Sequence, residues 1–114
     1  MSVQQIEYSN IPVDDPRERE QRLFQEVTEA LVECGLTSVQ EPMVEKAVER
    51  NRRLWDALRV DLSLNENRLP DELKAKLISI AIWVEKHSEM VLKGNGQVEP
   101  LITVNQAIMD GLGA

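Results

Sequence analysis

The stretch Leu77–Ile78–Ser79–Ile80–Ala81–Ile82–Trp83–Val84 decides the fold of this chain, because it is the longest run without a charge and its one polar side chain is Ser79. Leu69–Pro70–Asp71–Glu72 before it reads as a helix start, with proline at the first helical position and two acids at the positive end of the dipole. Lys93–Gly94 after it reads as a helix stop, with a cation in the last turn and a glycine free to turn left-handed. No proline or glycine falls between Asp71 and Lys93, a length that suits a helix and not a strand. The run is apolar on nearly every side, so the sequence predicts a rod sheathed by other helices. Closely flanking charges make it too short to span a membrane.

Working outward, the rest of the chain supplies the neighbours. Asp15–Pro16–Arg17–Glu18 predicts a first helix from Pro16 to about Cys34, with Asp15 as N-cap, Glu18 closing a capping box and Gly35 as the stop. Its buried stripe is expected to be Leu23, Val27, Ala30, Leu31 and Cys34, with Phe24 at the edge. After a short connection from Thr37 to Glu41, Pro42 opens a second helix. Val44, Val48, Asn51, Trp55, Leu58 and Leu62 step by fours and threes there, a core seam widened by Ala47 and Leu54 and interrupted by Asn51. Residues 63–68 are polar and predict a turn. Asn95–Gly96 is a second turn, and Pro100 opens a shorter helix to about Asp110 with Leu101, Val104, Ile108 and Leu112 on one face. Short loops favour antiparallel neighbours, so the expected fold is all-α, a small antiparallel bundle of about four helices over residues 14–114. Residues 1–13 lack helical periodicity and read as an extended N-terminal arm whose Ile6, Tyr8, Ile11 and Val13 can dock onto a groove.

Composition narrows the class of function. A chain of 114 residues is one domain, and aromatic residues at 4% leave a mainly aliphatic core. Thirteen Lys plus Arg against twenty Asp plus Glu give a formal charge of −7, which argues against non-specific binding to phosphate backbones or anionic lipid. The single cysteine, Cys34, fits a reducing compartment, and the polar N-terminus shows no secretion signal, so the cytoplasm is the expected location.

No catalytic constellation is assembled in the sequence, and the expectation is a protein that is not an enzyme and carries no metal or cofactor. His87 has no second imidazole or thiolate at helical spacing and reads as a solvated residue near a helix C-terminus. Cys34 lies on the buried stripe and reads as a small core hydrophobe. The five glycines form no phosphate loop. Asp14–Asp15 and Asp71–Glu72 fall where helices start, which capping explains.

Two features stand above this background. In Arg50–Asn51–Arg52–Arg53–Leu54–Trp55, either Asn51 bonds a neighbouring helix while Trp55 fills the core, or the Trp and Arg side chains form a partner-docking site, or the arginines meet RNA. The apolar tail from Val98 to Leu112 follows the Asn–Gly hinge and closes the bundle or covers a partner's groove. A groove between the second and fourth helices makes Asn51, Arg52, Arg53, Trp55, Leu101, Val104, Asn105 and Ile108 the candidate partner-binding residues, with Trp55 ranked above Trp83 as the contact.

Arg50–Trp55, Asn67–Leu77, Val91–Gly94 and Pro100–Leu112, with Pro16–Glu18 to Glu26–Thr28 ahead of them, resemble the flagellar biosynthesis family FlaF in its alphaproteobacterial form. The likeness covers about residues 16–112, in order and with fitting gaps; the 1–13 arm matches no pattern of that family. The resemblance implies a small cytoplasmic regulator required for flagellin synthesis and secretion, acting with FlbT, which opposes flagellin translation. It also implies direct binding of flagellin in the manner of a secretion chaperone. The alternative is a post-transcriptional regulator acting directly on flagellin mRNA, which the acidic charge disfavours. Flagellin and FlbT are thus the expected partners, with no membrane and no direct nucleic-acid contact.

Overall fold

The computed structural model describes residues 16–36, 41–64 and 66–113, which form four α-helices and, among the described residues, no strand. They are α1 (Pro16–Leu36), α2 (Glu41–Leu62), α3 (Asp71–Leu92) and α4 (Glu99–Gly113). α1 starts at Pro16 as expected and continues through Gly35 to Leu36. α2 and α4 start one residue before Pro42 and Pro100, α3 starts at Asp71 with Pro70 as its N-cap and not its first helical residue, and α4 runs past Asp110 to Gly113. The expected arm with Ile6, Tyr8, Ile11 and Val13, the Asp15 cap and the 37–40 connection lie outside the described residues.

Local chemistry sets the helix ends. At the end of α3, Lys93 is the last half-helical residue and Gly94 follows at φ +82°, a left-handed conformation. Gly94 N–H donates to Val91 O (3.0 Å) and Asn95 N–H to Met90 O (2.8 Å), the paired bonds of a Schellman stop. Gly96 then lies against the end of α3, where an added Cβ would come within 3.2 Å of Met90 Cβ and 3.3 Å of Val91 N. Val98 O receives the first bond of α4 from Leu101 N–H (2.9 Å), so Pro100 costs that helix no donor. Between α2 and α3, Asn67 Nδ2 donates to Asp61 Oδ2 and Asn67 Oδ1 accepts from Leu69 N–H, a side-chain-built turn.

The packing order is α4–α1–α2–α3: α1 packs on α2 and α4, α2 packs on α1 and α3, α3 barely touches α4, and α1 does not meet α3. The α2 seam is as the sequence predicts, with Val48, Asn51, Trp55 and Leu62 buried and Val44 and Leu58 half-buried. Two expectations are corrected. The α1 face is rotated, so that Phe24 is 4% exposed and Leu23 is 42% exposed. Thr28 is the cause: it is a core residue despite its hydroxyl, and it draws the buried face toward 24 and 28.

The larger correction concerns α3, which is not a sheathed rod but an outer helix. Leu77, Ala81, Val84, Ser88 and Val91 form its single buried face, turned toward α2. Leu73, Ile82, Trp83 and Met90 are exposed. The reason is geometric: α4 is only 15 residues long and lies on α1, so among the described helices none remains to cover the second face of α3.

Candidate functional site

Two places in the bundle depart from the rule of apolar inside and polar outside, and they bear differently on function. The first is a polar hub within the core. Trp55 Nε1–H donates to Asn105 Oδ1 (2.8 Å). Asn105 Nδ2 donates in turn to Asn51 Oδ1 (2.7 Å) and Thr28 Oγ1 (3.0 Å). Thr28 passes its own proton to Phe24 O (2.6 Å). The indole has only a donor, so it fixes which way the Asn105 amide faces, and that amide fixes Asn51. One residue of α4 is thereby tied to α1 and α2. Phe24 meets the Trp55 ring edge-on with centroids 5.5 Å apart, a favourable aromatic arrangement. Asn51 Nδ2 and Ser88 Oγ are buried without a hydrogen-bond partner among the described residues, and each such group costs about 1–3 kcal/mol.

This hub settles where the candidate partner-binding residues stand. Asn51, Trp55, Leu101 and Asn105 are interior, each at most 1% exposed, and they offer no surface for docking. Trp55 is core filler and Asn51 bonds a neighbouring helix. Val104 and Ile108 are half-buried against the core. The ranking of the tryptophans reverses, because Trp55 is 1% exposed and Trp83 is 38% exposed. A seam interrupted by asparagine looks like an interface in sequence, but here the interruption is paired internally.

Arg52 and Arg53 remain at the surface, half-buried and exposed respectively. Arg52 bonds Glu85 through two nitrogens, Nε at 3.0 Å and a terminal nitrogen, and also faces Glu49 and Glu89. The hydrogen bonds to Glu85, with its charge and those of Glu49 and Glu89, hold the guanidinium pKa above its ordinary value. Arg50 pairs with Glu26 (3.4 Å) and Arg59 with Asp56 (2.7 Å). The cleft beside Arg53 is walled by Glu49, Asp56 and Glu85 as well as by cations. The basic cluster of the sequence is, in space, a lattice of alternating charge that fastens α2 to its neighbours.

The second departure is the outer face of α3. Ala75, Ser79, Ile82, Trp83 and Met90 recur at helical spacing, and all are exposed, with Lys86 among them. Trp83 stacks on His87 at 5.0 Å with the rings 11° from parallel. His87 Nε2 lies 2.7 Å from Gln97 O, as donor to that carbonyl, so the histidine is not merely solvated but ties the α3–α4 loop to α3. The stack steadies the Trp83 ring as a flat apolar plate. The signal for this face was present in the sequence, since the run is apolar on nearly every side.

Cys34 is buried, its thiol 3.6 Å from Met43 O, and burial followed by the nearby Glu33 charge pushes its pKa up. Among the described residues no group of three or more His, Cys, Asp and Glu comes together to hold a metal. No helix among them is long and apolar enough to cross a membrane.

The sequence model of one protein family, described as Flagellar protein FlaF, matches residues 4–112. The match begins twelve residues before the likeness read from the motifs, so most of the N-terminal segment falls within it. Neither the curated proteins nor the solved structures gave a match.

Proposed function

The chain belongs to the FlaF family of flagellar proteins, and from that premise we propose that it binds flagellin as a secretion chaperone or adaptor. In this proposal the outer face of α3 takes the amphipathic terminal segments of flagellin. The exposed set Ile82, Trp83 and Met90 carries it, because large apolar side chains recurring along one flank of a helix, with Lys86 among them, suit a surface that another chain covers. A partner helix laid along α3 engages anchors separated by three, four and seven residues, which is how amphipathic helices are recognised. Tryptophan is the residue type that most often carries such interfaces, and Trp83 is held flat by His87. Covering flagellin's apolar flanks before export would prevent their premature assembly.

The charge lattice on α2 supports a protein partner over RNA. Arg50, Arg52 and Arg59 each face a carboxylate, so phosphate contacts would have to displace existing pairs. An effect on translation then runs through flagellin and FlbT, and the protein acts by binding and not by turnover.

The test is retention of flagellin by the immobilised protein. Wild type retains it in moderate salt, because apolar burial is not screened, while Trp83→Ala and Ile82→Asp each weaken retention at least about tenfold. Retention unchanged in both variants contradicts the proposal. So does tight binding of flagellin leader RNA that falls steeply with salt.

A further inference from the structure

A cavity of about 340 Å³ opens at the end of the bundle where α1 begins and the α2–α3 turn meets the end of α4. Its floor is apolar, made by Phe24, Leu58, Leu62, Leu69, Leu77 and Met109. That volume is at the small end of the ~300–1,000 Å³ typical of ligand pockets, which suits a few side chains of a peptide segment. Neither the charge lattice nor the outer face of α3 uses it.

We propose that this cleft is the seat of the chain's own N-terminal segment, Ile6–Val13, whose apolar side chains fill it. The chain enters α1 at Pro16, and Glu20, Gln21 and Phe24 on the next two turns line the cleft. Phe24 lies about 12 Å along the axis from Pro16 at ~1.5 Å per residue. About four extended residues span that distance, so a chain reversing at Pro12–Asp15 brings Ile11, Tyr8 and Ile6 over the opening in turn. Arg68 lines the cleft together with the acids Glu20 and Asp61, so its charge is mixed and the apolar side chains Ile6, Tyr8 and Ile11 are what the occupant offers it. Tethering this close gives an effective concentration of about millimolar, enough for a modest apolar contact to favour the chain's own segment over a free competitor. The family match starting at residue 4 includes this segment in the same unit as the bundle. The inference stands independently of flagellin binding.

The chain's four methionines, Met1, Met43, Met90 and Met109, provide the test in the full-length protein. Met109 lines the cleft, whereas Met43 and Met90 are exposed elsewhere. With methyl-labelled methionine, the Met109 methyl should show nuclear Overhauser contacts to Ile11 or Tyr8 and resist broadening by a soluble gadolinium chelate. In Ile6→Asp/Ile11→Asp those contacts should vanish and the broadening of Met109 rise severalfold, with Met43 and Met90 unchanged. Equal broadening of Met109 in both proteins, with no contact in wild type, overturns the proposal. Protection that fades on dilution overturns it too, by assigning the cleft to a second copy.

Discussion

The interior around Asn105 and the outer face of α3 are inversions of each other. In the first, four polar side chains from three helices sit in the core and satisfy one another almost completely; in the second, Ile82, Trp83 and Met90 stay exposed, with no other helix among the described residues laid over them. The difference teaches how to tell architecture from function when both break the same rule. Burying a polar group is costly unless it is paired, so a paired one specifies which helices meet and in what register. An exposed apolar face leaves its transfer free energy unclaimed until another surface arrives. The hub pins α4, which lies on α1, to α2 through the Asn105 hydrogen bonds. The face of α3 is the part of the described bundle that the proposed partner would cover.

The sharpest way to break this contrast is to exchange the fates of the two tryptophans. Trp55→Ala should lower stability by about 3–5 kcal/mol, the usual range for a fully buried aromatic, and leave the Asn105 carbonyl without its donor. Trp83→Ala should cost less than about 1 kcal/mol and act on flagellin retention instead. Urea unfolding measures both, and similar losses in the two variants would collapse the distinction. Next in size, Asn105→Ala should cost about 3 kcal/mol, because three partners lose their bonds at once. Asn105→Leu combined with Asn51→Leu and Thr28→Val should recover part of that loss, since only the Trp55 indole N–H is then left without its hub partner.

Smaller effects sharpen the account of the charged seam. Arg52→Ala should change stability by no more than about 1 kcal/mol, with the loss shrinking further in high salt, because the pairs with Glu85 and Glu89 are partly solvated. The smallest effect belongs to Cys34. With its pKa raised by burial, the unfolded thiol loses its proton before the folded one does, so this residue's contribution is full below pH 9.0 and declines as pH rises through the folded value. Stability of wild type relative to Cys34→Ala should therefore fall only in alkali, and alkylation at pH 8 should be slower than for an exposed thiol.

The four helices and the α2 seam were legible because proline, acid and glycine signals act locally and Val44, Val48, Trp55, Leu58 and Leu62 repeat at helical spacing. Polarity along the chain does not determine exposure. Thr28, Asn51 and Asn105 are polar by type but interior by pairing, and pairing across α1, α2 and α4 is not visible along one strand of sequence. Leu23 and Phe24 exchanged places for that reason. For Ile82 and Trp83 the fault was opposite, since an all-round apolar run implies cover on every side but does not say whether the cover belongs to the same chain. His87 was placed at the helix end correctly, yet its bond to Gln97 O depends on how the loop folds back.

The outer face of α3 is tested most directly by the two indole N–H signals in a nitrogen–proton spectrum, followed while flagellin's terminal segment is added. Trp83 should shift progressively to saturation while Trp55, sealed against Asn105, stays in place. A shift of Trp55 with Trp83 unmoved, or no movement of either, would contradict the account.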